Sequence, residues 1–408
     1  MATTVNITLA GSLPMAGVTA LGAGGTGAGG YNLFAASAPA YDPEILFSAG
    51  EQGAWFDPSD LTTMFQDFPG TTPVTAVGQP VGLILDKSKG LVLGPELVTN
   101  GDFSNGTTGW SAYNGNTSIS VVSGALRVTI NSGTATACTT DAITTVVGKM
   151  YEFSINMLGT TGTGYKFYIG DSFGGGGPYA QNPITGTGSF KVLFVATSTT
   201  TYVNFEVTGV AGNYGDFDNI SIRELPGNHA SQATAAKRPV LQQDGTGKYY
   251  LDFDGVDDAL TTGTIPITGL IGDSFAGQRL NASAGQSIVV WLTSQAAAGY
   301  WAVAQSGSGF FPTGGTCGSP TYRKNGVDLV SPTRANLYDI TADQTVVLTT
   351  KGVTFGLSTP VSSLSISDYA ALFYGGRLYS LIVRGAQSTA QEISDTEAWV
   401  AAKTGVTL

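Results

Sequence analysis

The sequence predicts an all-β protein. An N-terminal extended arm and a small β-rich collar precede two antiparallel β-sandwiches (jelly rolls), and one short C-terminal α-helix closes the chain. Three observations predict this. Glycine makes up 57 of the 408 residues, Thr and Ser are plentiful, and charged residues are only 12%. Exposed helix faces are usually filled by Glu, Lys, Ala and Leu, so this balance fits many short strands joined by Gly, Asn, Asp and Ser turns. Short runs alternating apolar with polar residues recur along the chain, which is the strand period. Convincing helical signals occur once, at 389–403.

Composition also excludes whole classes of function. The net charge is −11, from 18 basic and 29 acidic residues, and no Lys/Arg cluster offers a footprint for phosphates. Nucleic acid is therefore not an expected partner. No apolar run approaches the roughly 20 residues that span a bilayer, so no membrane partner is expected. Met1–Asn6 lacks a basic region of the secretory kind, which implies a protein that stays in the cytosol that makes it or leaves by lysis. One histidine, His229, and two distant cysteines, Cys138 and Cys317, leave no material for a transition-metal site or a His-based triad. The cysteines read as two free thiols.

The arm spans residues 1–45. Val5, Ile7 and Leu9 alternate as in a strand, and the Gly-rich run 22–30 formally matches G-x-G-x-x-G at Gly22, Gly24 and Gly27. No helix period follows it and no acid is placed to hold a ribose, so a dinucleotide site is rejected. The collar, 46–94, holds an Asp57-Pro58 turn, a cap at Ser59 or Asp60, and strand-like pieces from Val74 to Leu85.

Residues 95–225 make the first sandwich. It opens with Leu97-Val98, an Asn100-Gly101 turn, a buried Phe103 and a core Trp110. It closes with Phe217, Ile220 and Ile222 alternating before Pro226. These two stretches are expected to be its first and last strands. Between them, strands are expected at 118–122, 125–130, 150–157, 165–169, 188–196 and 202–207, with the spacing of a jelly roll.

Residues 226–408 follow a Pro226–His229 linker. Tyr249, Leu251 and Phe253 share one strand face, with Asp252 and Asp254 opposite. The acids of Asp252–Asp258 lack the twelve-residue calcium-loop pattern and read as a polar strand face and an acidic turn. Strands are expected at 287–293, 300–305, 320–324, 345–351 and 379–384, and Asn325-Gly326 marks a hairpin. The helix 389–403 has Ser388 and Gln391 as a capping box, Gly405 as a stop, and Ala390, Ile393, Val400 and Ala401 as its apolar stripe. Nothing in the chain pairs two carboxylates across a cleft, and no G-x-S-x-G elbow occurs, so no catalytic residue and no enzyme activity are expected.

Three resemblances add to this reading. Gly53–Leu61 with Gly82–Ser88 resembles a linker of tail-associated and other virion proteins of tailed bacteriophages. Asn100-Gly101-Asp102-Phe103, Gly109-Trp110 and Phe217–Ile222 resemble jelly-roll carbohydrate-binding modules with a galactose-binding-like fold. Tyr249–Leu260, preceded by His229–Ala233, resembles concanavalin-like (laminin-G-like) lectin sandwiches attached to virion proteins.

The module resemblance implies sugar stacking on aromatic faces. Tyr113, Phe173, Tyr179 and Tyr214, set among Gly, Asn and Pro, and Trp301, Phe310 and Phe311 in the second sandwich, are the candidates; core or inter-chain packing is the competing role. It also implies a structural calcium, built from Asp102, Asp218 and backbone carbonyls. The carboxylate that usually follows the N-terminal Phe is here Ser104, which favours an empty site. Together the resemblances imply a virion structural protein of the tail-fibre, minor-tail or head-fibre kind, a homo-oligomer, most often a trimer. Its arm would hold other virion proteins, and its sandwiches would meet a host-surface glycan. The alternative is an architectural capsid or tail decoration protein that binds no glycan.

Overall fold

Eleven strands among the described residues of the 95–225 segment pair into two antiparallel layers. The structure, a computed structural model, describes residues 41–173, 180–184, 186–265, 267, 271–281, 286–293, 298–305, 320–354, 363–369 and 372–408. The front sheet runs Ala180–Ile184, Gly164–Gly170, Thr200–Thr208, Ala135–Thr140, Trp110–Ala112, with Ile143–Thr144 also pairing to Thr200–Thr208. The back sheet runs Gly188–Val195, Met150–Thr160, Tyr214–Glu224, Ala125–Ile130, Thr117–Val122. Inward residues alternate along Met150–Thr160 and Gly164–Gly170 and meet residues of the facing layer across the gap: Phe205 stacks on Phe217 at 4.4 Å, and Phe153 meets Phe167 at 4.9 Å. Trp110 is buried, stacked on Phe205 at 5.6 Å and tilted against Phe103 at 5.4 Å, so it is a core residue. Cys138 lies in the same core, and burial pushes its thiol up, which makes it inert.

The opening and closing stretches do run side by side, but the opening one is not a regular strand. Leu97 N–H donates to the Ile222 carbonyl (3.0 Å) and Ile220 N–H to the Gly101 carbonyl (3.0 Å). Asn100 and Phe103 adopt left-handed φ of 55° and 54°, which breaks the extended run. Gly101 lies so near the Ile220 carbonyl that no Cβ fits. Glu96 completes the seam: its carboxylate accepts from Leu97 N–H, Val98 N–H, Ile222 N–H and Ser221 Oγ and pairs with Arg223. Burial acts to raise the Glu96 pKa, but these donors outweigh it and leave it below the usual carboxylate value.

The rest of the described chain forms two further antiparallel sheets around a second core. One runs Val240–Gln243, Tyr249–Asp254, Gly375–Arg384, Ile271–Leu280, Thr345–Thr354, Thr321–Lys324, Val327–Asp328. The other runs Met64–Phe65, Leu83–Ile84, Ala230–Ser231, Leu260–Thr262, Ser363–Ile366, Gln286–Thr293, Ala298–Gln305. The collar expected over 46–94 is therefore not a layer of its own. Gly53–Phe56 pairs with Leu381–Arg384, and Leu83–Ile84 pairs with Ala230–Ser231, so its strands belong to the C-terminal body. The jelly roll is an insert in that body.

The arm's expected end at residue 45 also shifts. Asp42 caps a short 3-10 turn, Pro43–Phe47, whose Leu46 and Phe47 are buried, and Tyr41 Oη hydrogen-bonds Thr396 of the C-terminal helix at 2.7 Å. Residues 1–40, with the Gly-rich run, lie outside the described residues, as do Phe310, Phe311 and Cys317.

Two helices are present where one was expected. Arg334–Thr341 has a capping box from Thr333 and Asn336. Ala390–Thr404 is capped by Thr389 and Glu392, one residue beyond the expected pair, and stops at Gly405 with φ 75°. Its inward face is partly polar: Glu397 is buried and pairs with Arg323 at 2.8 Å, while Val400 and Ala401 pack on Phe275 and Ile382. No helix among the described residues is long and apolar enough to cross a membrane. Asn325 (φ 49°) and Gly326 (φ 78°) form the expected two-residue hairpin turn between Lys324 and Val327.

A substitution at the seam tests this account. Gly101→Ala must push the closing strand away, and the jelly roll should lose on the order of 2–4 kcal/mol, the range of an overpacked backbone contact. Denaturant unfolding of the variant against the parent measures it; an unchanged midpoint would contradict the close approach.

Candidate functional site

On the front sheet, the residues that alternate with the core point outward. Along Thr200–Thr208, Val203, Phe205 and Val207 face in, while Tyr202 and Glu206 on the other side are half-buried and Asn204 between them is buried at 2% exposure, beneath the Ser172 turn. Along Gly164–Gly170, Tyr165, Phe167 and Ile169 face in, so Lys166 and Tyr168 face out. Antiparallel register sets these residues opposite one another: Tyr168 faces Asn204, Lys166 faces Glu206, and Asn204 faces Thr139. With neighbouring strands roughly 4.8 Å apart, the five-strand path is roughly 19 Å across.

One end of this face is aromatic. Phe173 lies between Tyr113 (6.2 Å, tilted) and Tyr202 (6.0 Å, edge-on). Tyr113 is 47% and Phe173 48% exposed, unusual for rings of this size. Tyr113 is placed by its N–H, which donates to the Ala137 carbonyl at 3.0 Å and continues the pairing of Trp110–Ala112. Phe173 is placed by its turn, where Asn204 Nδ2 donates to the Ser172 carbonyl at 3.5 Å. The other end is polar. Tyr168 Oη donates to Glu206 (3.3 Å), and Lys166 Nζ lies 3.5 Å from the same carboxylate, which raises the lysine's pKa. Rings beside hydroxyl, amide and charged groups suit a ligand with apolar C–H faces and a rim of hydroxyls.

The structure thus brings together Tyr113 and Phe173 from the sequence-derived candidates. Tyr214 is not with them and is not on a loop. It begins a strand of the back sheet, and the Arg127 guanidinium lies 3.6 Å over its ring while holding Asp216 at 2.8 and 2.7 Å. Tyr179 lies outside the described residues. Trp301 lies on the strand Ala298–Gln305 opposite Val290, and only its backbone is described. Sequence reasoning missed Tyr202, Tyr168, Glu206 and Lys166. The signal was there: in Tyr202–Val207 every second residue is polar or hydroxylated, the mark of a strand with one solvent-facing side.

The residues proposed for calcium do not fit it. Asp102 Oδ1 accepts from Ser104 N–H and Oγ, Asp218 Oδ1 accepts from Asn219 N–H, and the Gly101 carbonyl is taken by Ile220. Calcium asks for six to eight oxygens. Among the described residues, three carboxylates converge at Asp254, Asp257 and Asp258 instead, within 4.8 Å of one another. That turn supplies its own donors: Asp254 Oδ1 accepts from the N–H groups of Val256, Asp257 and Asp258, and Asp258 Oδ2 accepts from Asp254 N–H. It is the expected acidic turn.

A serine in contact with a lysine also proves structural. Lys403 Nζ donates to Ser59 Oγ at 2.7 Å, but the same ammonium is ion-paired with Asp57 at 2.9 Å. That pair needs a protonated lysine, so it braces the helix end and supplies no base.

The segment that forms the sandwich matches a known family model. Residues 95–213 match the family model described as a carbohydrate binding domain. No curated protein matches the chain. Among solved structures, one described as "CBM4 structure and function" is 14% identical, covering 31% of this chain and 99% of its own, at a TM-score of 0.26. The CBM22-1 xylan-binding domain from Paenibacillus barcinonensis Xyn10C is 17% identical over 33% of this chain and 97% of its own, at a TM-score of 0.26. The tandem CBM22-1-CBM22-2 structure from the same protein is 11% identical, covering 72% of this chain and 98% of its own, at 0.30. The fold is all-β, and residues 95–213, which form its two-layered sandwich, are similar to the carbohydrate binding domain family.

The acidic turn yields a pH test. Burial, with Asp254, Asp257 and Asp252 nearby, pushes Asp258 up to about 6. A raised folded pKa means that stability from this group is full below the ordinary value of about 3.9 and is lost as pH rises through about 6. Asp258→Asn should therefore raise the melting temperature at pH 8 and leave it near the parent's at pH 4. Thermal unfolding at both pH values checks the sign.

Proposed function

We propose that the chain binds a glycan on the outer face of the front sheet, with pyranose faces on Tyr113, Phe173 and Tyr202 and hydroxyls on Tyr168, Glu206 and Lys166. The observation that carries this reading is the three-ring cluster, with Tyr113 and Phe173 exposed and Tyr202 half-buried, beside polar groups on one sheet face. The family match of residues 95–213 to a carbohydrate binding domain supports it. The face is open and wider than a single ring, so it suits several consecutive sugars of a chain. The chain works as a structural protein of a tailed-bacteriophage particle, anchored to other virion proteins by residues 1–45 and assembled as a homotrimer. That part is supported by the linker wording of Gly53–Leu61 and Gly82–Ser88 and by the Gly-rich arm.

Affinity electrophoresis against a panel of host-envelope and plant polysaccharides tests the binding face. Tyr113→Ala and Phe173→Ala should each weaken retention about tenfold, equivalent to about 1.4 kcal/mol, whereas Tyr214→Ala should leave it unchanged. Retention lost with Tyr214→Ala but kept without Tyr113 and Phe173 would move the site to the back sheet. Detection of the chain in purified particles, with no retention on any glycan, would favour the decoration role instead.

A further inference from the structure

The segments that enter and leave the jelly roll cross at one buried imidazole. His229 is 6% exposed. Its Nδ1 accepts from the Asp86 N–H at 2.9 Å, on the incoming segment, and its Nε2 faces the Leu225 carbonyl at 3.1 Å, on the outgoing one. A backbone N–H can only donate and a carbonyl can only accept, so both contacts hold for one neutral tautomer alone, with the proton on Nε2.

The Asp86 side chain ties the same crossing to the C-terminal body, accepting from Trp55 N–H (2.7 Å), Ser88 N–H (2.8 Å) and Asn228 N–H (2.6 Å). A proton added at Nδ1 would set N–H against N–H and leave a cation in an enclosed site. Burial opposes that cation most; the Asp86 carboxylate favours it and the Lys149 ammonium opposes it. Lys149 itself lies 3.9 Å from Glu224. A cleft of about 220 Å³, lined by Gly148 and Lys149 of the jelly roll and by Gly227 and Asn228, reaches the ring and gives protons a path.

We propose that this crossing is an acid-released latch: neutral His229 pins the two connecting segments together, and its protonation frees them. The apolar seam of Leu83, Leu85, Met150, Leu193 and Leu225 stays in place, so release is confined to the connectors. The jelly roll then hangs on that apolar contact and gains freedom to reorient against the body. Since the folded ring resists protonation, the latch holds above the ordinary histidine value of about 6.5 and opens as pH falls below it.

The chain's single histidine makes the test direct. In the full-length protein carrying ¹³C/¹⁵N-histidine, NMR should show the Nε2–H tautomer at pH 7.5 and a titration midpoint below 6.5. Over the same pH interval, intrinsic-rate-corrected hydrogen exchange should rise at least tenfold at Asp86 and Asn228, while Thr200–Thr208 stays protected. His229→Asn offers an acceptor that cannot be protonated, and its connectors should stay protected down to pH 4.5. A ring that titrates at the ordinary value, or connectors that stay protected in the parent at pH 4.5, would overturn the proposal. So would an equal rise in the variant. Should the variant fail to fold, the parent's coupled titration and exchange still decide.

Discussion

The constraint on which the rest depends is that the jelly roll's two ends must meet. Leu83–Ile84 and Ala230–Ser231 are hydrogen-bonded neighbours in one sheet of the C-terminal body, and the whole first sandwich lies between them in sequence. Its entry and exit must therefore stand within a strand spacing or two of each other. The sandwich meets this by laying its opening segment along its closing strand. Glu96 takes donors from both, and the side-chain-free Gly101 lets the backbones touch. The seam that looked in sequence like a ligand motif is thus a closure device. Asp102 and Asp218 each turn one oxygen to a neighbouring N–H and the Gly101 carbonyl takes Ile220 N–H, which leaves fewer than the six to eight oxygens a calcium asks for.

Closure also distinguishes the two sheets of the jelly roll. The back sheet carries the closing strand, and its outer side bears the ion pairs Arg127 with Asp216 and Lys191 with Glu152, as the front sheet bears Lys166 with Glu206. The front sheet owes nothing to the closure. Its outer side is free to hold rings at partial exposure, an arrangement that costs apolar hydration and has no value to the fold itself. Tyr113 and Phe173 pack on one another and, through Phe173, on Tyr202 at this edge, whereas Tyr214 is covered by Arg127.

Much of this was legible in the residues. Alternation in Ala125–Ile130, Met150–Met157 and Phe217–Glu224 marked real strands, and the Asn325-Gly326 turn was read correctly because left-handed φ at two consecutive residues selects those types. What was not legible depends on distant partners. Ile271–Leu280 was missed because Gly272 and Gly277 dilute the pattern. It is a central strand held by neighbours on both sides, and Gly277 is needed where Val400 and Thr404 of the C-terminal helix press on it. The collar read as local because Gly53–Phe56 meets its partner, Leu381–Arg384, only after most of the chain has passed. The second helix, Arg334–Thr341, was missed because its capping box uses Asn336, not Glu or Gln. Of the candidate site, Tyr113 and Phe173 were named as aromatics among Gly, Asn and Pro, while Tyr202 and Tyr168 were not named because they lie within the expected strands 202–207 and 165–169.

The insertion carries a consequence for how the molecule is made. The jelly roll's partners are contiguous, so it can fold once residue 225 has left the ribosome. The body cannot, because Gly53–Phe56 must wait for Gly375–Arg384, nearly the last strand synthesised. For most of translation Gly53–Phe56 has no partner strand, and pairing it closes a very large loop, the slow kind of step. A finished jelly roll meanwhile holds residues 83–84 close to residues 230–231, shortening that search from the inside. The insert thus serves as an assembly jig for the domain that surrounds it.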